Sequence, residues 1–357
     1  MTRHEVDVLV IGAGPSGSAA AYDLAVNGHS VLMVDRQAFP RHKACGGSLS
    51  KRTMDRLRYP LADGVVRSEI SRITVSHKAR ATTFIHAPVP VVCITSRYDL
   101  DEFMLKKAME CGASFEKVGR KPVSISETGE SVEVIWDDRI VVAKWLIAAD
   151  GANSQTRALV FGKQMQQQCM AIEGDADAPA HLEGEQARCD FGYAAHGYGW
   201  FVRKGHQVNI GLYTSVAARD DMGQQQLRDY AKRVYGIDTL ENIKAAPVGT
   251  HGYRLPVATR RVLFVGDAAG FADTIYGEGL FGTLLTGQEA AASIISHSAA
   301  KPAWKTYRKT LRIWRWRLFY IRCLSFGLYH FLPLIYPVFQ RHFQSQWTRQ
   351  KNLIRER

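Results

Sequence analysis

An α/β fold is predicted by three features of the sequence. An apolar run at Val8–Ile11 breaks at Gly12 into a helix of small residues, two later apolar runs end in Asp150-Gly151 and Gly266-Asp267, and the stretches between alternate apolar and polar residues. The first two are the marks of a buried parallel sheet and the third of antiparallel strands with one wet face. The expected architecture is a Rossmann-type domain, discontinuous over 1–66, 91–165 and 246–300, with an antiparallel-sheet domain at 67–90 and 166–245 and a helical C-terminal segment at 301–357.

The first unit contains Gly12-Ala13-Gly14-Pro15-Ser16-Gly17. Gly12 permits the tight turn, Gly14 lets backbone approach a pyrophosphate, and Gly17 lets the helix pack on the strand, with Pro15 and Ser16 inside the same cradle. A second strand over 30–34 ends at Asp35, 23 residues after Gly12, where a carboxylate can take a ribose diol. Arg36 then opens a basic, proline-broken loop that closes on Cys45, Gly46 and Gly47, and the two glycines allow backbone to lie against a flat ligand.

A helix is expected over 50–57, antiparallel strands over 68–94, and an amphipathic helix over 98–111, with Arg97 just before it. Strands follow near 114–118, 131–136 and 141–148, the last running into Ala149-Asp150-Gly151. Residues 166–215 read as antiparallel sheet around the turn His196-Gly197-Tyr198-Gly199-Trp200-Phe201, and 224–235 as a helix. The strand before Gly266-Asp267 leads through a loop to Tyr276-Gly277-Glu278-Gly279-Leu280 and a small-residue helix ending near Ser296.

With 46% hydrophobic and 22% charged residues over 357 positions, the chain is globular. Its six cysteines show no CxxC pairing, which argues against zinc and against a disulfide framework. The first strand begins too early for a signal peptide, so a cytoplasmic setting with free thiols is expected. The net charge of +12 is localised: residues 301–357 hold 13 Lys and Arg and one acid, Glu356, while the remaining 300 residues hold 33 of each sign.

All three glycine-punctuated stretches fall at carboxyl ends of strands, where ligands bind in an open α/β sheet. A nicotinamide dinucleotide in a simple dehydrogenase would account for the first alone, so one more extended ligand touching all three is the better reading. The trio of GxGxxG at 12–17, ADGxxSxxR at 149–157 and GDAAGF at 266–271 resembles the p-hydroxybenzoate hydroxylase-like FAD enzymes. Within that superfamily, PRHKACGG at 40–47, GYGWFVRK at 197–204 and GDAAGFADTIYGEGL at 266–280 resemble the geranylgeranyl reductase family.

The resemblance implies FAD, with Gly12, Gly14 and Gly17 at the pyrophosphate and Asp35 at the adenosine ribose. It implies Asp267 at the ribityl chain, Arg97 against the cofactor, and Asp150-Gly151 near the pyrophosphate from the other side. The helix after Gly279 would aim its positive end at the pyrimidine edge of the isoalloxazine. The chain departs from the family in lacking a proline in the aromatic turn and in carrying Thr274 where a proline is frequent.

The activity implied is reduction of C=C bonds in a polyprenyl or other hydrophobic substrate. The alternatives are an FAD monooxygenase on an apolar or aromatic substrate and a non-catalytic, membrane-associated flavoprotein; the Trp-x-Trp-x-Ile-Pro box of halogenases is absent. No second βαβ unit of the first kind offers a nicotinamide site, so NAD(P)H binds transiently or a reduced redox partner supplies electrons. An isolated alkene also needs a proton donor. Motif position makes Cys45, Tyr276, Glu278 and His196 candidates, although Cys45 also reads as a small packing residue and Glu278 as a helix cap. Tyr198 and Trp200 read as an apolar pocket wall, or as plain core.

The C-terminal segment interleaves its cations with aromatics from Trp304 to Phe339, and residues 323–340 carry no Lys, Arg, Asp or Glu. His330, Pro333 and Pro337 interrupt that stretch, which argues against a straight transmembrane span. The expectation is a peripheral contact with the inner face of the membrane, the other reading being a helical cap with a basic solvated face. Nucleic acid is not expected, because the aromatics cluster with Leu and Ile as well as with charge. Many members of the family continue further after the Gly-Asp segment, so the end of a substrate tunnel is either absent or formed by this tail.

Overall fold

Val8, Leu9 and Val10 are fully buried, as a strand covered by helices on both faces must be. In the computed structural model, which describes residues 2–162, 169–215 and 222–355, they belong to Thr2–Ile11 near the middle of a seven-stranded sheet. Parallel neighbours are Val31–Asp35 and then Ser114–Lys117 on one side, and Arg139–Ala148 on the other. The far edge of Arg139–Ala148 is shared: its first half pairs antiparallel with Val132–Ile135, and its last residues pair parallel with Val262–Phe264. The strand Ser124–Glu127, too polar and short to stand out by periodicity, completes the sheet as an edge hairpin.

Small residues set the helix layer. The first helix, Pro15–Val26, packs on Leu280–Ile295 so closely that a Cβ at Gly287 would stand 2.4 Å from the Ser16 carbonyl oxygen. The long helix Arg97–Glu110 packs beside them on its Leu100, Met104 and Ala108 face.

The second sheet runs in the order Glu241–Val248, Cys169–Asp177, Gln207–Thr214, Gly197–Lys204, Ala187–Phe191, Arg72–His77 and Ala81–His86. All its pairings are antiparallel except that of Ala187–Phe191 with Arg72–His77. The stretch expected as one antiparallel run over 68–94 divides between sheets. Val66–Ile70 and Val92–Thr95 form a small third sheet with Ser48–Ser50, because Ile70 and Ile94 bury themselves against Val202 rather than extending the larger sheet. The helix expected over 50–57 is the single turn Lys51–Met54.

Ala303–Arg355 is one helix lying across both large sheets. Its inner face is fastened by hydroxyls and a guanidinium donating to backbone carbonyls: Tyr307 to Phe264 at 2.7 Å, Ser325 to Thr274 at 2.8 Å, Tyr336 to Val75 at 3.0 Å, and Arg315 to Gly252, Tyr253 and Leu255. On this face the segment is a cap. The expected sheet residues 166–168, and in the tail the side chains of Pro333, Phe339 and the cations from Arg341 onward, lie outside the described residues. Among the described residues, no helix is long and apolar enough to cross a membrane.

Candidate active site

A cavity of about 800 Å³ lies between the carboxyl ends of the parallel strands and the inner face of the second sheet, a volume typical of cofactor and ligand sites. All three glycine-punctuated stretches reach it. At Gly12, φ is +103° and a Cβ would stand 2.3 Å from the carbonyl oxygen of Ala149, so the first turn is seated on the strand end that carries Asp150. Arg157 ties the second stretch to the third, donating to the carbonyls of Ala268 at 2.7 and 2.9 Å and of Pro256 at 2.9 Å.

Two helices begin at this cavity without a side-chain cap, one after Gly14 and one after Gly279. The unpaired N–H groups of a first turn make such ends receptive to anions. Between them lies a buried charge cluster. Asp101, fully buried, accepts from Arg97 at 2.6 and 2.8 Å and pairs with Arg41 at 3.1 Å. Burial alone would lower the pKa of Arg97, but Asp101 outweighs it and keeps the guanidinium charged. For Arg41 burial prevails and the pKa falls. Lys43 stands 3.8 Å from Asp267. Three cations against two carboxylates leave an excess positive charge beside the helix ends.

These features fit FAD. The Arg41 guanidinium lies 3.2 Å from where a Gly14 Cβ would be, and its buried Nε has no protein partner, so a donor waits at the phosphate cradle. Asp35 holds the turn by accepting from the Ala13 N–H at 2.9 Å and the Gln37 N–H at 3.0 Å, and it lines the cavity beside Arg36. Asp150 accepts from the Ser154 hydroxyl and the Thr156 N–H, which leaves the Asp150-Gly151 backbone along the cavity.

The far half of the cavity is apolar, lined by Ile73, Val75, Ile85, Phe191, Tyr198 and Tyr213 of the second sheet. Cys45-Gly46-Gly47 forms the seam between the halves. A Cβ on Gly46 would meet the Trp200 ring nitrogen at 3.3 Å, and one on Gly47 would stand 1.8 Å from the Thr95 carbonyl oxygen. Tyr329 and Tyr336 of the C-terminal helix pack behind Val75, Phe191, Tyr198 and Tyr213. The tail therefore stands behind the apolar half, and none of its described residues lines the cavity itself.

The loop before Gly277 is fixed by its own carbonyls. Tyr213 and Ser325 donate to Thr274, Tyr329 donates to Ile275, and Tyr198 donates to Tyr276 at 2.6 Å. Asp273 accepts the Ile275 and Tyr276 N–H groups at 2.9 and 2.8 Å, and burial raises its pKa to about 6. Across the window from about pH 4 to 6 the folded protein holds a proton that the unfolded chain has lost, so stability falls as pH rises, by up to ~3 kcal/mol. Asp273→Asn keeps an oxygen for both N–H groups and removes this titration. The variant is expected to match the wild type in denaturant unfolding near pH 4 and to exceed it by about 1–3 kcal/mol near pH 8. An equal difference at both pH values would show that Asp273 does not titrate in this way.

The predicted site residues separate into groups. Gly12, Gly14, Pro15, Ser16, Asp35, Arg36, Cys45, Gly46, Gly47, Arg97, Asp150, Gly151, Tyr198, Trp200, Asp267, Tyr276, Gly277, Glu278, Gly279 and Leu280 all line the cavity. Gly17 and Gly266 stand behind the lining. A Cβ on Gly17 would strike the Gly12 carbonyl oxygen at 1.9 Å, and the Gly266 N–H donates to Thr286. His196 is a correction. It is not among the residues that line the cavity; its backbone φ is +51° and its ring packs on that of His330 with centroids 4.7 Å apart. Glu278 lines the cavity but its carboxylate is engaged by Arg52 at 2.5 Å, Ser50 at 2.9 Å and Thr53 at 3.1 Å. It ties the loop to the Lys51–Met54 turn, and the helix it was expected to cap starts uncapped.

Arg41, Lys43, Asp101 and Glu173 were not singled out by sequence. The basic loop at 36–43 was the available signal for the first two. Glu173 is buried beneath the seam with Oε2 unpartnered, and burial raises its pKa against the opposing effects of Lys204 and of the Cys45 backbone.

Fold and site together define an FAD-dependent oxidoreductase. The FAD binding domain family matches residues 5–281. The menaquinone reductase of Mycolicibacterium smegmatis is 32% identical over 335 residues, covering 84% of this chain and 79% of that protein. The geranylgeranyl diphosphate reductase of Rhodobacter capsulatus is 28% identical over 314 residues, covering 83% and 77%. A solved geranylgeranyl bacteriochlorophyll reductase-like protein from Thermoplasma acidophilum superposes with a TM-score of 0.80 at 20% identity, over 92% of this chain and 88% of that one. The chain belongs to the FAD binding domain family.

Proposed function

We propose that the protein reduces C=C bonds of a polyprenyl chain, carried on a diphosphate, a quinone or a comparable head group. The observation that carries this reading is the two-part cavity, a polar cationic half continuous with an apolar half walled by Ile73, Val75, Ile85, Phe191, Tyr198 and Tyr213. The names of the related reductases support it, since geranylgeranyl groups and menaquinone both carry polyprenyl chains. FAD, once reduced by NAD(P)H or a redox partner, supplies hydride chemistry.

The chain's own residues bind the prenyl segment, exclude water from it and deliver the proton that completes the saturated bond. Cys45 at the seam and Tyr276 beside Phe191 and Tyr198 are the donors this reading favours; Glu278 is held by three partners, and His196 does not line the cavity.

The test is product analysis by mass spectrometry after incubating the FAD-loaded protein with NADPH, or with dithionite, and geranylgeranyl diphosphate or menaquinone. The expected product, analysed after air has reoxidised any quinol to the quinone, has gained two hydrogens per bond reduced. Cys45→Ala or Tyr276→Phe, whichever removes the proton donor, lowers turnover by about 10²–10⁴-fold with flavin content unchanged. Oxygenated product, or no product from either substrate with either reductant, would overturn the reading.

A further inference from the structure

The outer face of the C-terminal helix carries a second feature, independent of the cavity chemistry. Ile313, Trp316, Tyr320, Leu324, Phe331 and Leu334 recur at spacings of three, four and seven residues, which places them along one face of a helix. All are exposed, from 44% for Leu324 to 74% for Leu334. The inner face is the one fixed to the protein through Tyr307, Ser325, Tyr329 and Tyr336. At 1.5 Å per residue the stripe is about 32 Å long, more than the scattered apolar residues of an ordinary surface.

Charge decides what covers it. Exposed Lys305, Arg308, Lys309, Arg312 and Arg317 surround its first half. The sequence adds Arg341, Arg349, Lys351, Arg355 and Arg357 after its end, while residues 323–340 between hold no Lys or Arg. A second copy laid on the stripe would bring cation against cation, with Glu356 the only acid of residues 301–357 to offer. An anionic bilayer surface answers both features at once, taking aromatic and aliphatic side chains into the headgroup region and pairing the cations with lipid phosphate.

We infer that the helix Ala303–Arg355 docks the protein, outer face down, on an anionic lipid surface. Its inner face backs the apolar half of the cavity through Tyr329 and Tyr336. Docking therefore leaves that half about one helix diameter, roughly 10 Å, from the lipid. Binding is measured without turnover, so the proposal stands or falls separately from the substrate assignment.

The experiment is co-sedimentation of the full-length, FAD-loaded protein with phosphatidylcholine vesicles, with and without phosphatidylglycerol. Binding to the mixed vesicles, weakened by salt, is expected, with little binding to phosphatidylcholine alone. Trp316→Gln with Leu324→Gln keeps good helix formers and is expected to lower partitioning at least about tenfold. Arg312→Gln with Arg317→Gln is expected to lower it about 30-fold on anionic vesicles. Unchanged flavin content and melting temperature establish that the variants are folded; if one pair fails to fold, the other decides. The proposal is overturned if the intact protein ignores phosphatidylglycerol or if both folded variants bind as the wild type does. It is equally overturned by light scattering that finds a dimer which the stripe variant dissociates.

Discussion

Gly12→Ala is expected to purify nearly free of flavin, with FAD occupancy at least about tenfold below that of the wild type. Two effects combine at this position. The backbone has φ of +103°, which a residue with a side chain rarely adopts, and the new Cβ would stand 2.3 Å from the Ala149 carbonyl oxygen. That oxygen belongs to backbone, so either the first turn lifts off the Ala149-Asp150 strand end or the strand end moves. Each outcome breaks the alignment of the Gly14 cradle with Asp150 and Asp267. Gly28→Ala is the control. Its φ is also positive, at +80°, but nothing lies within 4 Å of its Cβ. It should lose about 1 kcal/mol of stability and keep its flavin. Absorbance of the purified proteins near 450 nm, roughly the visible flavin band, compares them directly; full occupancy in Gly12→Ala would show that the turn is not the cofactor's seat.

Asp101→Ala carries the largest expected loss of stability. Asp101 is fully buried and its two oxygens are taken by Arg97 and Arg41. Removing it leaves Arg97, itself only 8% exposed, as an uncompensated buried cation, which costs about 3–5 kcal/mol. The gross attraction within the trio is a different quantity, because desolvation offsets most of it. The double variant Arg97→Met, Asp101→Leu should therefore recover most of what Asp101→Ala loses, since it removes both buried charges together. Denaturant unfolding of the wild type, the single variant and the double variant checks this. A double variant as unstable as the single one would mean that packing at Asp101, rather than an unpaired charge, sets the loss.

The same residues show where sequence reading succeeded and where it stopped. Gly12, Asp150 and Gly266-Asp267 were legible because a tight turn at the end of a buried strand is encoded within a few neighbouring residues. Arg97 and Asp101 were not legible as a buried pair. At a separation of four residues on a helix they read like an ordinary exposed ion pair, and the loop Phe39–Gly47 that buries them arrives from elsewhere in the chain. His196 was legible as a turn residue, but its ring contact with His330 of the C-terminal helix was not. The tail was legible as basic and aromatic. Which aromatics face inward depends on the carbonyls of Phe264, Thr274, Ile275 and Val75, all distant in sequence. The apolar wall was read from Tyr198 and Trp200 alone, because the strand Arg72–His77 enters it through a parallel pairing with Ala187–Phe191 that no local pattern announces.

The most direct test of the central claim is anaerobic. The FAD-loaded protein is reduced with one equivalent of dithionite, and its visible spectrum is followed after addition of geranylgeranyl diphosphate, whose only reducible bonds are C=C. Return of the oxidised flavin spectrum without oxygen, matched by a product that has gained two hydrogens, is the predicted result. A spectrum that stays bleached until air is admitted, with product that then contains oxygen, would contradict it.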